Sequence, residues 1–194
     1  FGRGLVSEPY LSTIVIGAGL IAECGTMAQK QALLPDIADG SLYLAFAHSE
    51  RQARFDLANV QTAAKKMPDG WRLNGNKAAV LDGNAASKII VSARVDDGNG
   101  KPGKLGLFLV PQGARGLVSR DFARLGGGRA CNLELRDVQL PADALLGDDS
   151  DALPVVEAVI DRAMAALGAE AVGIMQTLLD QTLEYTRIRK QFGR

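Results

Sequence analysis

Four groups of residues have side chains whose type and spacing suit chemistry. His48 and Ser49 stand side by side, with Arg51, Arg54 and Phe55 just after them. Glu170 is the one charge between Ala163 and Leu179. In so apolar a setting a carboxyl is raised toward the range a general base needs; the alternative is a carboxylate paired with an arginine of an adjoining helix. Arg187, Arg189 and Lys190, followed by Gln191 and Phe192, make a cationic run that suits phosphate or the negative end of a helix dipole. Near the other end, Gly17-Ala18-Gly19 follows Ile14-Val15-Ile16, the spacing with which a strand–turn–helix unit cradles a pyrophosphate.

Composition removes other chemistries. His48 is the single histidine, so a His-rich metal site or a two-histidine relay cannot be built and no metal is expected. Cys24 and Cys131 lie far apart with no CxxC spacing, which excludes a disulfide framework and favours a reducing, cytoplasmic setting. The 22 Lys and Arg balance 22 Asp and Glu, leaving no basic surplus to release phosphate counterions, so nucleic acid is not an expected partner. No apolar run is long enough to span a bilayer. The 194 residues, 47% hydrophobic, suffice for one or two compact units.

The elements that must position these residues change texture three times. Residues 8 to 42 have helical spacing; Thr26-Met27-Ala28-Gln29 reads as a capping box opening a helix that buries Met27, Leu33, Leu34 and Ile37 and stops at Gly40. From Leu44 to Leu140 short runs of strand formers alternate with turn signals, Asn74-Gly75 and Asp82-Gly83 among them, which predicts a small antiparallel barrel or sandwich. Asp96 to Lys104 reads as an exposed hairpin loop. From Leu153 to about Lys190 a 3.6-residue period through Val156, Ile160, Met164, Leu167, Ala171, Ile174 and Leu178 predicts one long helix. Its opposite face is apolar too, so it must be covered all round, and a partner bundle is implied. A Rossmann-type dinucleotide-binding module remains the lesser alternative for Gly17 and Gly19; Pro35 spoils its second strand, and helices packed closely at the glycines are the plainer reading.

Strings in this order resemble an acyl-CoA dehydrogenase. Gly25-Thr26 with Gln29-Lys30 and Leu34-Pro35 is similar to the helix that enters the family's barrel. Ala47-His48-Ser49-Glu50 then Asp56-Leu57 lies where the family has T-E-P-x-x-G-S-D, and Gly70 to Lys77 resembles its G-W-x-L-N-G-x-K hairpin. Val138-Gln139-Leu140-Pro141 with Leu145-Leu146-Gly147 resembles the barrel exit, and Arg189 to Gly193 its R-x-Q-F-G signature. Phe1 to Val6 and Ala47 to Gln52 look most like the small subunit of pimeloyl-CoA dehydrogenase and related two-subunit enzymes.

The resemblance implies an α+β fold: the end of an N-terminal helical domain (1–43), a central antiparallel β-barrel (44–147) and the first helix of a C-terminal bundle (148–194), together the middle of a longer flavoprotein. It implies an FAD-dependent enzyme that introduces an α,β double bond into an acyl-CoA, as in fatty-acid β-oxidation. A glutamate takes the α-proton, hydride passes to flavin N5, and electrons go on to an electron-transfer flavoprotein, in a homo- or hetero-oligomer, a dimer or tetramer. Phe46, His48, Ser49, Ala79 and Leu81 fall at flavin-facing positions; Arg189, Gln191 and Phe192 fall at contacts to the far end of a neighbouring subunit's FAD; Arg54 and Phe55 fall where the CoA arm passes. Ala79 replaces a tryptophan and Leu81 a hydroxyl, which weakens flavin binding by roughly 2–4 kcal/mol. Ala163 stands where some members carry the base, leaving Glu170 as the intrachain candidate and a non-catalytic structural subunit as the alternative function.

Overall fold

The computed structural model describes residues 1–96, 103–148 and 150–193, so most of the expected Asp96–Lys104 loop lies outside the described residues. A short turn at Gly2–Gly4 precedes a π-helical segment, Tyr10–Ala18, which runs on into α1 (Gly19–Cys24) and then α2 (Met27–Ala38). Seven strands follow: β1 (Leu44–Ala47), β2 (Ala63–Met67), β3 (Gly70–Leu81), β4 (Lys88–Val95), β5 (Leu105–Pro111), β6 (Leu117–Ala123) and β7 (Arg129–Leu140). The 36-residue α3 (Leu153–Ile188) ends the fold.

Helix, not strand, occupies Ile14 to Ile16, which removes the Rossmann alternative. Gly17 instead allows a close approach: a Cβ there would sit 2.9 Å from the Leu44 Cβ, whereas one on Gly19 would find ordinary room. Thr13 completes the contact, its hydroxyl donating to the Leu44 carbonyl and accepting from the Leu44 amide. One side chain thereby satisfies both main-chain groups of a residue at the sheet edge.

The Thr26–Gln29 capping box is present in both directions. Leu33 and Ile37, four apart on one face, are buried and Leu34 is half-buried, but Met27 is 69% exposed because the first helical residue faces away from the sheet. Gly40 takes the left-handed conformation (φ +81°) expected of a helix stop.

The sheet is mixed rather than purely antiparallel. Its order is β1-β4-β2-β3-β7-β6, with β5 on the other edge of β4. β1 and β2 both run parallel to β4, because the chain leaves β1 through a long loop and re-enters in the same direction. The sheet curls as a half-barrel around one core containing Trp71, Val91, Phe108 and Leu133. Its outer face packs on the helices through Leu44, Ile90, Leu107, Leu20, Ile37 and Val156. Period-two alternation sends Ile89, Val91 and Ala93 to the first core and Ile90 to the second, so β4 is apolar on both faces.

Asn74-Gly75 is no turn. The chain reverses at Pro68-Asp69, and Gly75 lies within β3, beside a bulge whose extra residue belongs to β7. Thr62 crosses so closely that a Cβ on Gly75 would lie 2.5 Å from its Oγ1, and Asn74 exchanges two hydrogen bonds with Asp137 across the bulge. Asp82-Gly83 does turn the chain, as the sequence predicts. In α3 only Val156, Val159 and Ala163 are buried; Met164 and Leu178 of the expected apolar stripe are 58% and 57% exposed. No described helix is long and apolar enough to cross a membrane.

Gln29 joins these parts. Beyond its cap, its Nε2 donates to the carbonyls of Asp143 and Leu145, and its Oε1 accepts from the Gly147 amide. Gln29→Ala removes a cap and strands three main-chain groups, so it should lower stability by about 2–4 kcal/mol in urea unfolding, more than Gln31→Ala on the same helix.

Candidate functional site

The end of β1 gathers the chemistry. Lys77 is 2% exposed, yet it is charged and fully bonded. Its ammonium has three N–H groups, and they reach the Glu50 carboxylate (2.7 Å), the Ser92 hydroxyl (3.1 Å) and the His48 carbonyl (3.2 Å). Glu50 is equally occupied. Its Oε1 also accepts from the Thr62 amide and hydroxyl, and its Oε2 from the Gln61 amide and the Gln52 side chain. A pair so deeply buried survives only because every remaining donor and acceptor is matched.

Burial acts to raise the Glu50 carboxyl, but hydrogen bonds from Lys77 and Thr62 overcome it and hold the group at about 2. Burial pushes the Lys77 ammonium down to about 8, against the pull of Glu50. Burial, with the Lys77 charge adding to it, takes His48 down to about 4. His48 is therefore neutral at pH 7, and its partners fix the tautomer. Nε2–H donates to the Leu57 carbonyl (3.1 Å), so Nδ1 accepts from the Ser92 hydroxyl (3.0 Å). The Phe46 ring stacks on the imidazole, with centroids 5.2 Å apart.

Ser49 sits on this foundation. It is exposed while His48 and Glu50 on either side are buried, and its carbonyl accepts from the Ala78 amide at 2.8 Å. Ala79 is exposed in the left-handed conformation (φ +53°) with its amide on Asn132 Oδ1, and Leu81 is half-buried two residues on. An open cleft of about 650 Å³ lies alongside, with Glu50 and Lys77 in a wall shared with Arg51, Gln61, Asn76 and Arg120. The loop after Glu50 turns Arg54 into the left-handed conformation (φ +52°) and leaves Phe55 98% exposed. Arg94 steadies that loop through the Ala58 carbonyl.

The remaining candidates lie on other elements. Glu170 is half-buried on α3, where its main-chain carbonyl packs against Gly2. Arg189 caps α3 with its guanidinium over the Tyr185 ring, and Gln191 and Phe192 follow it, exposed. Among the described residues these three make no side-chain hydrogen bond to the sheet.

Known proteins match this architecture. A family profile described as acyl-CoA dehydrogenase, middle domain, matches residues 45–138. The probable acyl-CoA dehydrogenase YngJ of Bacillus subtilis is 32% identical over 195 residues, a match covering 98% of this chain and 51% of that protein. Residues 45–138 belong to the acyl-CoA dehydrogenase middle-domain family. Butyryl-CoA dehydrogenase of Megasphaera elsdenii superposes with a TM-score of 0.86 at 29% identity, over 95% of this chain and 49% of that one. Glutaryl-CoA dehydrogenase of Mycobacterium smegmatis, solved in complex with FADH2, gives 0.85 at 27% identity, over 95% and 47%. The chain thus spans about half the length of the relatives it matches.

The Glu50–Lys77 pair is the part of the site that reading the sequence for function missed. The signal was there: Trp71, Leu73 and Lys77 share the parity of one strand face, so Lys77 points inward and a buried cation needs an anion.

Two of the three shifted groups, His48 and Glu50, make this fold acid-sensitive at this point. His48 lies below its ordinary value, so the unfolded chain takes up the proton first, and its contribution is lost as pH falls from about 6.5 to about 4. Glu50 is also depressed, and its contribution is lost from 4.5 toward about 2. Urea unfolding at stepped pH should show stability falling across both windows. His48→Gln should flatten the upper one, where the imidazole accounts for about 3 kcal/mol.

Proposed function

We propose that this chain forms the flavin- and thioester-facing middle of an FAD-dependent acyl-CoA dehydrogenase that oxidises an acyl-CoA to its α,β-unsaturated thioester. The observation that carries the reading is Ser49, an exposed hydroxyl on a main chain clamped to β3 and flanked by a stacked Phe46–His48 pair. A planar heteroaromatic ring needs such a place: an aromatic neighbour, a hydroxyl at its edge and a main chain that does not move. These residues fit the group. Ser49 would bond the ring edge, Phe46 and His48 would support it, and the Ala79–Leu81 stretch would border it. FAD, when bound, supplies the two-electron acceptor.

Neutral His48 brings no charge to that surface. Arg54 and Phe55 present a guanidinium and an aromatic ring to solvent, chemistry that suits the phosphates and adenine of a CoA arm. Arg189, Gln191 and Phe192, exposed past the end of α3, are free to reach a cofactor held by a neighbouring subunit of an oligomer. Electrons would leave to an electron-transfer flavoprotein in the cytoplasm. The proton-abstracting glutamate is either Glu170 or a residue supplied from outside these 194 residues, since Ala163 is buried and carries no carboxylate.

A non-catalytic structural subunit is the second reading. Ala79 and Leu81 offer neither an aromatic face nor a hydroxyl, and Ala163 no base. The full-length protein with its partner subunit decides between them. It should purify yellow and reduce an artificial acceptor on addition of acyl-CoA, and Ser49→Ala should lower flavin affinity about ten-fold. A colourless preparation, or activity that resides wholly in the partner, would favour the structural role. Glu170→Gln then locates the base: a hundred-fold or greater loss of kcat with flavin retained assigns it to Glu170, and an unchanged kcat assigns it elsewhere.

A further inference from the structure

We propose that Lys77 is a positioning residue: with Glu50 it fixes the Ser49 hydroxyl in the place from which it meets its ligand. The inference rests on the reading of Ser49 as a flavin contact and goes beyond it by naming the device that sets the contact.

Ser49 hangs from β3 by two consecutive residues. Lys77 holds the carbonyl before it, that of His48, at 3.2 Å, and the Ala78 amide holds its own carbonyl at 2.8 Å. Peptide units on both sides of the serine are thereby pinned, while its side chain stays exposed. Lys77 has no spare donor, since its other two N–H groups are committed to Glu50 and Ser92. Glu50 carries the restraint onward by accepting from Gln61 and Thr62, where the chain re-enters the sheet at β2. The long excursion after β1 is therefore held at both ends by one ion pair.

Stability alone gives little reason for a lysine here. An apolar residue of similar volume, with its partner replaced to match, is commonly as stable as a buried ion pair. What an apolar side chain cannot do is donate to the His48 carbonyl. The group that distinguishes lysine at this position is the group that sets Ser49.

A double-mutant cycle on flavin affinity in the full-length protein tests this. Ser49→Ala and Lys77→Met should each weaken FAD binding about ten-fold, and the double variant should bind no more weakly than the weaker single one, because Lys77 acts through Ser49. Additive losses, or full affinity in Lys77→Met, overturn the proposal. Full affinity in Ser49→Ala overturns the flavin reading of Ser49 and the proposal with it, and is told apart by that single variant. If Lys77→Met does not fold, Glu50→Gln keeps the shape of the pair and weakens its hold. Amide hydrogen exchange in the flavin-free protein should then quicken ten-fold or more at residues 49–52 relative to β4, and unchanged exchange there counts against the clamp.

Discussion

An ammonium and a carboxylate taken out of water must find each other and fill every remaining hydrogen bond, and that requirement organises this half-barrel. Lys77 comes from the middle of β3, Glu50 from the loop after β1, and Ser92 from β4. Meeting the demand brings three distant stretches to one point and dictates where the chain after β1 can travel. With either charge removed, the other is stranded in a place that water does not reach, a loss of about 3–5 kcal/mol. No buried side-chain polar atom among the described residues is left unmatched, so the structure has met this demand throughout.

The same pair links packing to the proposed flavin contact. The sheet buries one face around Trp71 and Phe108 and the other against Leu20, Ile37 and Val156, which makes β4 and β5 a rigid floor between two cores. Ser92 stands on that floor and connects it to both His48 and Lys77. The exposed Ser49 thus inherits the rigidity of the double core through a short chain of hydrogen bonds. A hydroxyl on a free loop would have to be ordered each time a ligand arrived, whereas one built onto the sheet is ordered beforehand. The long helix shows the opposite condition. Beyond Ala163 it exposes Met164, Leu167, Met175, Leu178 and Leu183 over about five turns, more apolar surface than a helix in water carries without a covering partner.

Much of the fold is legible in the sequence. The capping box at Thr26–Gln29, the stop at Gly40 and the period of α3 are local signals, each decided by side chains within four residues of one another. Asn74-Gly75 misled because a glycine that suits a turn also suits a close crossing within a strand, and Thr62, twelve residues before Asn74, makes that crossing. Gly17 and Gly19 left two readings open, and the plainer one, close packing, holds at Gly17. A glycine pair announces close approach, and whether the neighbour is a pyrophosphate or Leu44 depends on what folds against it. Met27 and the outer half of α3 are apolar by pattern and exposed here, since periodicity says which residues share a face and not what lies across from it.

By itself the sequence determined the order of elements and the family resemblance, because propensity, capping and motif spacing act over a few residues at a time. The resemblance set His48, Ser49, Ala79 and Leu81 at flavin-facing positions; the structure shows the Lys77 ammonium and the Ala78 amide donating to the carbonyls of His48 and Ser49. Only the tertiary structure decided that β1 and β2 run parallel to β4, that Glu50 answers Lys77, and that His48 is held neutral. Those outcomes depend on desolvation and on partners 12 to 44 residues apart, and burial, which sets the strength of each charge and hydrogen bond, exists only once the chain has closed on itself.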